Sequence, residues 1–139
     1  MSILIGMHIA SELKRDENVR RVIAYIDDDG VEQLRLYPIV APEGAERPFV
    51  VYKNEGVVGE YTKDGGCGDT VVVHLRCVAE EYYDAVVLAD RVRKALEGKK
   101  RSYEGAFAVK DCNLVGSDEA WLSEVDAYEV DVRLEFETV

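Results

Sequence analysis

The chain has little of several things, and each scarcity removes a class of function. Of its 139 residues only 17 are Lys or Arg, against 28 Asp or Glu, giving a net charge of −11. Phosphate binding needs a basic face, so specific nucleic-acid binding is not expected. No apolar run approaches the ~20 residues of a membrane-spanning helix, so no membrane partner is expected either. The apolar start, Met1–Ala10, lacks a basic n-region and a cleavage site and is not read as a signal peptide. The three cysteines, Cys67, Cys77 and Cys112, are odd in number and sparse. They fit free thiols in a reducing compartment better than a disulfide framework. The two histidines, His8 and His74, have no His, Cys or carboxylate beside them at metal-ligand spacing.

Two tempting motifs fail on inspection. Asp27-Asp28-Asp29-Gly30 suggests a calcium loop, but an EF-hand with Gly30 at its sixth position needs oxygen ligands where Tyr25 and Leu36 stand. It reads as an acidic turn. Asp64-Gly65-Gly66-Cys67-Gly68 has no Gly-Lys-Ser/Thr ending and no strand-to-helix context, so it is not a phosphate loop. No catalytic residue, metal site or cofactor is predicted, and the chain is read as a non-enzyme.

What is present describes one domain, residues 1–139, of α+β class. The expected architecture is an antiparallel sheet of four to five strands with two main helices on one face. Ile5, Ile9 and Leu13 put a helix over Ser2–Arg15 with Ser2 as N-cap, and Asp16 is a second N-cap for a short helical segment through Val19, Val22, Ile23 and Ile26, whose β-branched content leaves a strand open as the alternative. Val31–Tyr37 and Phe49–Tyr61 read as strands, the second with a bulge near Gly56 or Gly59. Asp69–Ala79 alternates, with Val71, Val73, Leu75 and Cys77 on one face. Glu81–Glu97 carries the helical stripe Ala85, Leu88, Ala89, Val92 and Leu96, stopped by Gly98. A strand is expected at Gly105–Leu114, a turn at Gly116-Ser117-Asp118, and one long strand from Glu119 to Val139. In the last, Tyr128, Val130, Val132, Leu134 and Phe136 oppose Glu129, Asp131, Arg133, Glu135 and Glu137.

All three prolines fall in one stretch, which runs Arg35-Leu36-Tyr37-Pro38, Ala41-Pro42, Pro48-Phe49-Val50-Val51-Tyr52. Each proline fixes its own φ and pushes the residue before it out of helix. This stretch resembles the tail-completion, or tail-terminator, proteins of long-tailed phages and prophages. The element order over most of the chain agrees, and the acidic insert Asp27–Glu32 before the Arg-Leu-Tyr-Pro step is longer than that family pattern.

The resemblance implies a structural subunit of a virion tail, assembled in the cytoplasm of a bacterial host. It implies a homo-oligomeric ring, usually a hexamer, that ends the tail tube and meets the tube and head-connector proteins. The alternative is a small intracellular enzyme or ligand-binding domain with a pocket near His74 and Arg76. Eight tyrosines suit interfaces, where a ring is half apolar and half wet. Tyr37, Tyr52, Tyr61, Lys63 and Asp69 are taken as the oligomer or tail-tube interface. The glycine-rich hairpin Val58–Asp69 is expected to order on assembly with Tyr61 as its anchor. Glu129, Asp131, Glu135 and Glu137 are taken as a face bordering the ring lumen.

Overall fold

The closing alternation lies at the centre of the molecule. The computed structural model describes residues 2–61 and 67–139, without the side chains of Ser2, 58–61 and Cys67. A 3-10 turn, Ser2–Leu4, leads into helix α1 (Ile5–Arg15), followed by α2 (Glu17–Ile23), β1 (Ala24–Ile26), β2 (Glu32–Leu34), β3 (Leu36–Pro38), β4 (Phe49–Tyr61) and β5 (Cys67–Ala79). Helix α3 (Tyr82–Leu96), β6 (Arg101–Tyr103), β7 (Phe107–Leu122) and β8 (Ala127–Thr138) complete the chain. Six strands form one sheet in the order β3-β4-β5-β8-β7-β6, and β1 and β2 form a separate hairpin.

Among the described residues the fold is therefore α+β, but with three α-helices and a mixed six-stranded sheet. Every neighbouring pair in that sheet is antiparallel except β3 and β4, which run parallel with Leu36 opposite Val50. The proline-punctuated connection, residues 39–48, carries the chain back to start β4 beside the start of β3. Parallel pairing leaves no local signal, and three-residue strands are shorter than the runs that periodicity detects. For the same reason Val31–Tyr37 resolves into β2 and β3, and Ile26 belongs to β1 rather than to the preceding helix.

Two corrections concern turns. Gly116-Ser117-Asp118 lies inside β7, where a register shift between Leu114 and Gly116 marks a bulge. The expected long strand from Glu119 is instead a hairpin, β7 to β8, that turns over residues 123–126 with Asp126 at φ 49°. Aspartate tolerates the left-handed region, so the turn needs no glycine. At the other end, Leu4 precedes α1 with no side-chain cap, and Ser2 stands in the 3-10 turn. Asp16 does cap α2, its carboxylate accepting from the Val19 N–H at 3.0 Å.

One face of the sheet is covered by all three helices. Val50, Val71, Val73, Leu75, Cys77, Val130, Val132, Leu134 and Phe136 point into it and meet Ile5, Ile9, Leu13, Val19, Ile23 and the α3 stripe. Gly98, at φ 74°, ends α3 as its sequence suggests, and its N–H donates to the Cys112 carbonyl at 3.0 Å, tying the helix to β7. Among the described residues the opposite face carries no helix, and it is lined by charged side chains from β4, β5, β7 and β8.

Candidate assembly interface

The helix-free face is built by strand parity. With Val71, Val73, Leu75 and Cys77 committed to the core, His74 and Arg76 must point the other way. The antiparallel register sets His74 opposite Arg133, and Arg76 opposite Asp131. His74 is held between two strands: its Nδ1 lies 2.9 Å from Glu55 on β4, and its Nε2 lies 3.0 Å from Asp131 on β8. The second contact is a close approach without hydrogen-bond alignment, and among the described residues His74 Nε2 has no hydrogen-bond partner. Arg76 reaches Glu129 at 3.8 Å, and Arg133 pairs with Asp118 of β7 at 3.0 Å. The face is a lattice of alternating charges. His74 and Arg76 lie on this open face, outside the groove that Val22, Arg47, Pro48, Glu80, Glu81, Asp84 and Arg91 line between the helices.

Within the acidic stripe the four carboxylates differ. Glu129 and Asp131 are paired and their side chains retain 14% and 17% of their exposure. Desolvation, with Asp131 as a like charge beside it, raises the Glu129 carboxyl above its usual range in spite of Arg76. Glu135 stands opposite Val72 and Glu137 opposite Thr70, toward the far end of the sheet where Asp111 of β7 joins them. Glu135 and Glu137 make the open part of the stripe.

The five residues taken as one interface do not gather into one patch. Tyr37 shares the helix-free face with Val51 and meets Phe49 edge-on at 6.0 Å. Tyr52 points to the helix face, where a Cβ on Gly6 would lie 3.5 Å from its ring. Burial raises both phenols above their ordinary range. Tyr61 ends β4, nine residues or roughly 30 Å of strand beyond Tyr52, and its side chain is outside the described set. Asp69 pairs with Thr138 at the same end. Lys63 and the hairpin tip 62–66, on which the ordering expectation rests, lie outside the described residues.

Two features escaped the sequence reading. Glu55 reaches His74 because the bulge between Asn54 and Gly56 re-aims β4, and only the carboxylate beside that glycine hinted at it. Ile39 and Val40 stand exposed on the proline connection, Ile39 at φ 68°, a region that a β-branched side chain rarely enters. Cys77 and Cys112 are free and buried. Burial pushes the Cys77 thiol up strongly and the Cys112 thiol up to about 12, so both act as small apolar groups. Among the described residues no group of three or more His, Cys, Asp or Glu is arranged to hold a metal, and no helix is long and apolar enough to cross a membrane.

Residues 8–138 match the family model described as tail completion protein gp17. No curated protein matches the sequence. The fold is similar to a chain in a structure titled "Virion of native gene transfer agent (GTA) particle", with a TM-score of 0.74 and 15% identity over 94% of this chain and 90% of that one. At that identity the likeness establishes a common fold.

Proposed function

The chain belongs to the tail completion protein gp17 family, and from that premise we propose that it is a structural tail subunit that ends the tail tube as a ring and presents a surface to the head or its connector. The observation that carries this reading is the family match across residues 8–138. The whole chain acts as one tail-terminator-like domain in this reading.

The sheet suggests how such a ring would close. Among the described residues, β4 has no strand partner on its outer edge from Lys53 to Tyr61, and β7 has none on its outer edge from Asn113 to Leu122. These edges lie on opposite sides of one sheet and run antiparallel. Turning a second copy about an axis along the strands brings its β7 edge beside the first copy's β4 edge, and the sheet continues from copy to copy. A head-to-tail contact of this kind closes into a ring when its rotation divides the circle. In this reading the helices lie on the outside and the charged face turns toward the axis. Tyr37, Tyr52, Tyr61 and Asp69 would then serve several contacts, with Tyr61 at the end of the free β4 edge and Asp69 at the rim.

Deleting the chain from a particle-producing strain is expected to give unjoined heads and tails of irregular length by electron microscopy, with wild type restoring both. Val57→Pro and Val115→Pro each place a proline on a free edge, where an isolated sheet tolerates it. Each purified variant is expected to fold and yet fail to restore particles. Normal joined particles in the deletion strain would refute the tail-end role. Restoration by both proline variants would refute edge-to-edge closure while leaving that role intact.

The same closure sets Glu135 and Glu137 on the lumen side, with Glu129 and Asp131 held by Arg76 and His74. A negative wall repels phosphates over a Debye length of ~8 Å at physiological salt. Reversing Glu135 and Glu137 to lysine is expected to slow DNA exit at low salt and to matter less at high salt. Exit at the wild-type rate under both conditions would make the stripe ordinary surface.

A further inference from the structure

A second surface lies on the helix side of the sheet, away from the charged face, at the start of α3 and the end of the β7–β8 hairpin. Four rings form a chain there. Tyr83 meets Tyr82 edge-on at 5.4 Å, Tyr82 meets Tyr128 at 5.7 Å, and Tyr128 meets Trp121 at 4.7 Å. The Tyr82 hydroxyl donates to Glu119 at 2.7 Å, which fixes the ladder to β7 and raises the Tyr82 phenol above its ordinary range. Tyr128 is half-buried against the core and the other three rings are exposed. Tyr83 is 76% exposed, Trp121 50% and Tyr82 38%. Aromatic side chains left in water as a contiguous group are the residues that anchor protein contacts.

The chain segments that carry the ladder bear charge of one sign. The two stretches that carry it, Ala79–Asp84 and Ser117–Tyr128, contain Glu80, Glu81, Asp84, Asp118, Glu119, Glu124 and Asp126 and no Lys or Arg. Glu80 is paired with Arg47 and Asp118 with Arg133. The other carboxylates have no cationic partner among the described residues. The chain's one recorded cation–ring contact among those residues is elsewhere, Arg35 over Tyr25 at 5.0 Å. Open ring faces bordered by unpaired carboxylates offer a guanidinium both halves of what it seeks, a plane to stack on and oxygens to bond. An ammonium would gain the charge but not the stacking.

We propose that this ladder is a docking site for an arginine-bearing segment of a partner protein. Trp121 and Glu119 belong to the β7 edge, but their side chains meet Tyr128 and Tyr82 on the helix side of the sheet, so the ladder draws on side chains where ring closure draws on the backbone of that edge. A second copy is a poor occupant, since like charge would face like charge at a chain net of −11.

Trp121 is the chain's one tryptophan, so its emission reports directly on the site. The intact protein is titrated with a short Gly-Arg repeat peptide, with the matching Gly-Lys peptide, and with none. Saturable change in Trp121 emission is expected with the arginine peptide, at least several-fold tighter than with lysine. Tyr83→Ala, which removes a ring in open solvent and leaves every charge, is expected to weaken it about tenfold, and Glu81→Gln with Glu119→Gln to weaken it further. Equal binding by wild type and Tyr83→Ala would show general attraction to an acidic chain and overturn the proposal. So would emission that shifts with protein concentration alone, which would mean that a second copy covers the rings.

Discussion

Phe136→Ala is expected to cost about 3–5 kcal/mol, the usual range for removing a fully buried ring. Phe136 has no exposed surface and lies on the helix side of β8, opposite Val71 of β5 and Cys112 of β7. Its ring meets the His8 ring of α1 edge-on at 5.8 Å. It is the point where the central strand touches the N-terminal helix, and neighbours fixed in strands cannot collapse into the space left behind. Domains of this kind are stable by only about 5–15 kcal/mol, so the variant should populate unfolded chain measurably. Chemical denaturation checks it against Val115→Ala, an exposed change expected to stay within about 0.5 kcal/mol. A loss for Phe136→Ala no larger than for Val115→Ala would mean that the helices do not cover this face.

Arg101→Met is expected to cost about 2–3 kcal/mol, by stranding a carboxylate that is nearly buried. Glu12 on α1 keeps 10% of its side-chain exposure, and Arg101 on β6, with 33%, lies against it at 2.5 Å. The figure is set below that for a fully buried pair because water reaches the arginine and screens it. Glu12→Gln in the same chain should recover most of the loss, because it removes the stranded charge; a double variant as unstable as Arg101→Met would show that the arginine acts through packing.

His8 gives this cluster a pH signature. It is buried, its Nδ1 lies 2.9 Å from the Tyr103 hydroxyl, and burial lowers its pKa below 6.5, with Glu12 pulling up and Arg101 pulling down. In the window below 6.5 the unfolded chain binds the proton and the folded chain does not. Stability therefore falls as pH drops through that window and levels off below the folded pKa. His8→Phe should flatten this part of the profile relative to wild type, and an unchanged slope would assign it to other groups.

Much of this was legible along the chain because it is local. Strand β4 matches its expected limits at Phe49 and Tyr61, the α3 stripe is buried as its spacing requires, and Asp16 and Gly98 punctuate where their chemistry allows. The resemblance carried by Arg35–Tyr52 led to the family that residues 8–138 match. Turns were read less well. Gly116-Ser117-Asp118 is a stronger turn signal than Ser123–Asp126, yet pairing with β8 absorbs the glycine as a bulge and leaves the reversal to Asp126.

By itself, then, the sequence determined which residues face the core, the acidic balance that disfavours phosphate, and the family. These follow from periodicity, composition and motif, all of which read outward from each residue to its near neighbours. Only the tertiary structure decided that β3 runs parallel to β4, that β4 and β7 are left as open edges, that Glu129 and Asp131 are held by Arg76 and His74, and that Tyr82, Tyr83, Trp121 and Tyr128 form one ladder. The physical reason is that each of these joins residues far apart in the chain, and a register of hydrogen bonds between strands, not a local preference, sets who stands opposite whom.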